Sequence, residues 1–183
     1  MRTHFRSPLR RPAAQLLGLL ALTQCKENEV APSLPPESTT GANTSGCLVD
    51  GQVLVPRDIW THSGTSLSLG LGTTAATADF ALGIVDFKND SSPLILLTAD
   101  SLVLEEGHAY PITFSPHRGV VQAMCTAGEG QYYTTRPSSG TLTITRLDRQ
   151  AKLLAGRFDF VATDNHTGRQ VTVTQGRFDY KTE

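Results

Sequence analysis

Residues 153–183 read LLAGRFDFVATDNHTGRQVTVTQGRFDYKTE, and they write one short phrase twice, GRFDF at 156–160 and GRFDY at 176–180. Between the copies, Asp164, Asn165, Thr167 and Gly168 form a turn cluster, so the phrases are predicted to lie on the two arms of one antiparallel hairpin. Alternation places Phe158 and Phe160 on one face and Val171 and Val173 on one face of the return arm, a pattern that Phe178 and Tyr180 extend. Arg157, Asp159, Arg177 and Asp179 then point outward, where a cross-strand ladder of opposite charges is expected, worth a few tenths of a kcal/mol per pair. The rest of the domain has to cover the aromatic face.

Outward from this hairpin the chain is a series of short apolar runs separated by turn residues. Residues 47–49 and 52–55 flank Asp50-Gly51, the dipeptide suited to a type I′ turn, and Pro56 ends that hairpin. Leu67, Leu69 and Leu71 alternate with Ser or Gly, and 80–87 forms a further strand. Residues 94–97 and 102–104 read as two separate strands. The second is predicted to pair with 110–114 across Glu105-Glu106-Gly107-His108, with Pro111 placing that arm at a sheet edge. Residues 120–125 and 131–135 flank the glycines at 128 and 130, and 141–145 alternates with Leu142 and Ile144 inward. Many short strands without a helical period give an all-β fold, an antiparallel β-sandwich or open barrel.

The N-terminus differs in kind. Residues 1–11 are basic and 13–22 (AAQLLGLLAL) apolar, the order of a secretory signal peptide, and ten residues are too few for the roughly twenty of a spanning helix. Leu22-Thr23-Gln24-Cys25 resembles the lipobox of bacterial lipoproteins, with Gln24 where a small residue is usual. That resemblance implies a signal peptide over 1–24, lipidation of Cys25 and a membrane anchor through it. Lys26-Glu27-Asn28-Glu29 resembles the charged signal that sends lipoproteins of the Bacteroidota type to the outer face of the outer membrane. Residues 30–46, rich in Pro, Ser, Thr and Gly and without an aromatic, read as a flexible tether, so the folded domain is expected over 47–183.

Charge narrows the partners. The formal net charge is −1, but Arg2, Arg6, Arg10 and Arg11 belong to the leader, and sixteen basic residues less these four against seventeen acidic ones leaves −5. A mildly acidic domain argues against nucleic acid, whose phosphates are bound by concentrated basic surface. With Cys25 assigned to lipid, Cys47 and Cys125 are expected to form a disulfide in an exported setting, the alternative being two buried thiols.

No catalytic or cofactor pattern is present: His4, His62, His108, His117 and His166 are scattered, no P-loop or G-x-G-x-x-G occurs, and residues 64–68 (GTSLS) lack the closing glycine of a nucleophile elbow. No metal ligand set is assigned. Candidate ligand-binding residues are Trp60, beside His62, and the pair Tyr132 and Tyr133, because amphipathic aromatics at a sheet edge stack on sugars or peptides.

Taken together, residues 47–52 (CLVDGQ), 140–145 (GTLTIT) and the two Gly-Arg-Phe phrases resemble small uncharacterised lipoproteins of Bacteroidota. That resemblance implies a β-rich folded part opening with a hairpin and closing with Gly-x-Phe strands, and it brings no catalytic residue. The expected function is a membrane-anchored envelope lipoprotein, periplasmic or surface-exposed, whose non-catalytic β domain binds a glycan or protein or serves envelope assembly. The alternative is an envelope or polysaccharide hydrolase, which would need two carboxylates within about 10 Å in one cleft.

Overall fold

The structure is a computed structural model that describes residues 33–59, 63–71, 77–115, 117–135 and 138–181. The expected leader, Cys25 with its expected lipidation, and Trp60 with His62 lie outside the described residues. Among those described there are eleven strands and no helix: β1 (Thr44–Val49), β2 (Gln52–Leu54), β3 (Thr65–Leu71), β4 (Thr77–Val85), β5 (Leu94–Val103), β6 (Ala109–Ile112), β7 (Val121–Ala127), β8 (Gly130–Tyr133), β9 (Gly140–Asp148), β10 (Leu153–Thr163) and β11 (Gln170–Lys181). All but one of the pairings are antiparallel, in the order β2-β1-β11-β10-β9-β6-β7-β5-β4-β3. Strand β8 joins β7 to β10, which shuts β10, β9, β6, β7 and β8 into a five-strand ring with further strands outside it.

The twin phrases form the hairpin that their spacing predicts, and their register is informative. Gly156 faces Phe178, Arg157 faces Arg177 and Phe158 faces Gly176, so each glycine lies across from the other copy's phenylalanine. A Cβ on Gly176 would lie 2.4 Å from Cδ2 and Cε2 of Phe158, and one on Gly156 would lie 2.8 Å from Cε1 of Phe178. The rings therefore occupy the space that side chains would take, a mutual arrangement that pins register. Phe178 also meets Phe80 of β4 with ring centroids 6.2 Å apart, tying the β1–β11–β10–β9 half of the sheet to the β5–β4 half. The core between the halves includes Leu82, Ile84, Ile95, Leu97, Leu142, Ile144 and Phe160, all buried.

Local turn chemistry is as read. Asp50 and Gly51 take φ of 48° and 80°, as a type I′ turn requires, between the paired residues Val49 and Gln52. Asp164 caps the β10–β11 turn by accepting from the His166 and Thr167 amides at 2.8 and 3.2 Å, and Gly168 sits at φ 71°.

Five expectations are corrected. Residues 94–103 form a single strand, with the break felt as a register shift against β4 between the Ala78–Leu102 and Phe80–Ala99 pairs and a positive φ of 56° at Ser101, whose amide donates to Asp79 at 2.8 Å. Residues 102–104 and 110–114 do not pair, because β6 lies between β9 and β7, and Pro111 is inside the sheet. Proline is tolerated there because pairing with β7 begins only at Ile112, so its missing N–H breaks no ladder. Cys47 and Cys125 are free thiols, not a disulfide, each fully buried as a small apolar side chain. Burial pushes both thiols up to about 12, the field of Cys125 adding to the effect at Cys47 and that of Asp50 at Cys125.

The fourth correction concerns the charge ladder, since Arg157 opposes Arg177 and Asp159 opposes Thr141. The fifth follows from Asp179, which is 1% exposed and accepts hydrogen bonds from the Ser38 hydroxyl and from the amides of Thr40, Gly41 and Ala42 at 2.8–3.1 Å. Residues 38–42 are thus a strap held on the sheet, not free tether, and β1 starts at Thr44, ahead of the expected boundary at 47. Composition gave no sign of this, because three of the four bonds come from main-chain amides that any residue supplies.

Candidate functional site

Period-two alternation decides the fate of the tyrosine pair. Neighbouring residues of β8 point to opposite faces, so Tyr132 turns into the core at 4% exposure while Tyr133 stays outside at 38%. Tyr132 is therefore a core residue and leaves the candidate binding set. Trp60 is outside the described residues.

The single β8–β10 pairing, Tyr133 with Thr163, sets the exposed phenol beside the end of β10 and hence beside the β10–β11 turn. A groove of about 250 Å³ opens there, lined by Glu129, Gln131 and Tyr133 from the β7–β8 hairpin and by Asp164, Asn165 and His166 from the other turn. The Tyr133 hydroxyl donates to Gln131 Oε1 at 2.9 Å, which fixes the ring's tilt and leaves the hydroxyl oxygen able to accept. Hydrogen bonds from the His166 amide, the Thr167 hydroxyl and the Thr167 amide hold the Asp164 carboxyl below its ordinary range, so it is a carboxylate at neutral pH. One phenol ring is surrounded by carboxylate, amide and imidazole groups.

No protein-family model, no curated protein and no solved structure matches the chain.

Chemically the groove offers acceptors and donors around an apolar ring. Asp164 itself is not poised for proton donation: a general acid needs its pKa raised by burial, and Asp164 is shifted the other way by bonds that cap a turn. Among the described residues no group of three or more His, Cys, Asp or Glu is placed to hold a metal ion. Tyr133 was legible as a candidate from its type and neighbour. Its companions were not, since Asp164, Asn165 and His166 carry the same letters as any turn, and only the β8–β10 pairing brings them to it.

Proposed function

We propose that the chain is an exported bacterial envelope lipoprotein, anchored through Cys25, whose β domain is a non-catalytic binding module for a hydroxyl-rich ligand of the glycan class. The observation that carries the reading is the exposed Tyr133 ring in a groove walled by Gln131, Asn165, His166 and Asp164. A sugar presents an apolar face to stack on such a ring and hydroxyls that donate to and accept from such a wall. The resemblance of the N-terminus to a lipobox, and of 47–52 and the twin phrases to small Bacteroidota lipoproteins, supports the envelope setting.

Hydrolysis is the second reading, favoured by one feature: Glu129 and Asp164 line the same groove. Against it stands the commitment of Asp164 to the turn that it caps.

The full chain carrying Cys25→Ala, probed on glycan and peptide arrays, is expected to give glycan signals that Tyr133→Ala lowers about tenfold or more, the loss of one stacking platform. Glycan signals indifferent to Tyr133, or none at all, refute the binding site. Turnover of a bound glycan would move the assignment to the hydrolase. The same Cys25→Ala chain should leave the membrane fraction, and its persistence there refutes the anchor.

A further inference from the structure

A second groove lies at the opposite end of the β10–β11 hairpin and shares no residue with the Tyr133 groove. About 260 Å³ in volume, it runs between the strap and the outer face of the sheet, with Arg157, Arg177, Thr44, Thr145, Glu37 and Asp179 in its wall, the Asp179 carboxylate being already engaged by Ser38 and the amides of 40–42. The two arginines are directly opposed in the ladder. Their juxtaposition is forced by the interior, because placing Phe158 over Gly176 and Phe178 over Gly156 leaves the intervening arginines facing one another. Like charges at a directly opposed pair destabilise a sheet, so the arrangement favours an anion held between them.

The chain supplies one incompletely. Glu37, just ahead of the strap, brings Oε2 to 3.9 Å from Arg157 Nη1, beyond hydrogen-bonding reach and well outside the 2.7–2.9 Å of a formed guanidinium–carboxylate bond. Both side chains of that pair are more than half exposed. Arg177 is aimed from behind, its Nε donating to the Gln175 carbonyl and its Nη1 to the Pro35 carbonyl, each at 3.2 Å. The strap itself is fastened just beyond, at Asp179, so Glu37 can swing away while 38–42 stays bound.

We propose that this groove is a carboxylate-binding site, with Glu37 as the resident stand-in that an external carboxylate displaces. A guanidinium group is a planar fork of donors matched to a carboxylate, and two of them side by side offer donors to both of its oxygens. The volume is below that of a pocket for a whole drug-sized ligand, so it takes one carboxylate-bearing unit, an acidic sugar or an acidic side chain, of something larger.

The test is calorimetric titration of the full Cys25→Ala chain, at low ionic strength, with sodium glucuronate, with glutamate capped at both backbone ends, and with glucose. Saturable binding of either carboxylate but not of glucose is expected, the tighter of the two naming the source. Arg157→Gln should weaken it about tenfold or more, and Glu37→Gln should tighten it several-fold by removing the competitor. Arg157 is exposed, so that variant folds, and its melting curve verifies this. Absence of saturable binding in both the parent and Glu37→Gln overturns the site. So does affinity unchanged by Arg157→Gln, or weakened by Glu37→Gln.

Discussion

Replacing Gly176 with alanine tests the principle on which the whole sheet is registered. A Cβ there would lie 2.4 Å from two carbons of the Phe158 ring and 2.6 Å from a third, where carbon–carbon contacts are comfortable at 3.5–4.0 Å. More than 1 Å would have to be found. The ring cannot yield it outward, since Phe158 is buried and stacks against Phe160 at 6.4 Å between centroids. Overpacking of this kind costs about 1–3 kcal/mol, and contact with several ring atoms places this site near the top of that range. Against it stands the gain of about 0.5–1 kcal/mol that alanine normally brings over glycine within a strand. The net expectation is a loss of about 2 kcal/mol, a fall in Tm of about 4–8 °C for a chain of this size. Denaturant unfolding of the parent, Gly176→Ala, Phe158→Leu and the double variant forms the cycle. With the ring gone, the alanine should cost at least about 1 kcal/mol less, a coupling typical of residues in contact. If Gly176→Ala proves more stable than the parent, the glycine is an ordinary strand glycine and the crossed Gly–Phe account is wrong.

Asp179 supplies a pH signature. Burial pushes its carboxyl up, but the bonds from Ser38, Ala42, Gly41 and Thr40 outweigh burial and leave it below the ordinary range. A depressed folded value means stability present above the unfolded pKa of about 3.9 and lost as pH falls through the folded value. Asp179→Asn should therefore be destabilised by about 1–3 kcal/mol at pH 7, from buried donors left unpaired, and the gap should close below about pH 4. A gap that stays constant down to pH 2 would refute the strap. For the thiols, iodoacetamide at pH 8 should leave Cys47 and Cys125 unmodified in the native chain and alkylate both after denaturation without reductant. Recovery of a bridged Cys47–Cys125 peptide would refute the free-thiol assignment.

What the sequence could show was local. The Asp50-Gly51 turn, the Asp164 cap and the period-two pattern of β9 are dictated by residues within a few positions of one another, and each is found where expected. Pro111 misled because proline reports a missing donor, not a strand's rank in the sheet, and here the neighbour on that side pairs only from the next residue. The strap misled for the opposite reason. Its composition is that of a linker, and its order comes from one carboxylate about 140 residues away. The candidate groove was half legible, its tyrosine being marked by type and its turn residues joined to it only by a single long-range pairing.

The two copies of the phrase also show how one set of letters takes two roles. Inward, Gly and Phe do the same thing in each copy, and their reciprocity requires that both be present. Outward, the copies diverge because β10 lies between β9 and β11, whereas β11 lies between β10 and β1, where the strap crosses. Asp159 consequently remains on an exposed face beside Thr141, while Asp179, the same residue in the same phrase, is sealed under 38–42. Arg157 and Arg177 are the hinge of this pseudo-symmetry, the one position where the phrase meets itself. A repeat kept only to close the core would be served by any small, well-tolerated residue at that position. Two guanidinium groups there are an electrostatic cost to the hairpin that core packing does not explain, which is why the outer face, not the core, is where a ligand should be sought.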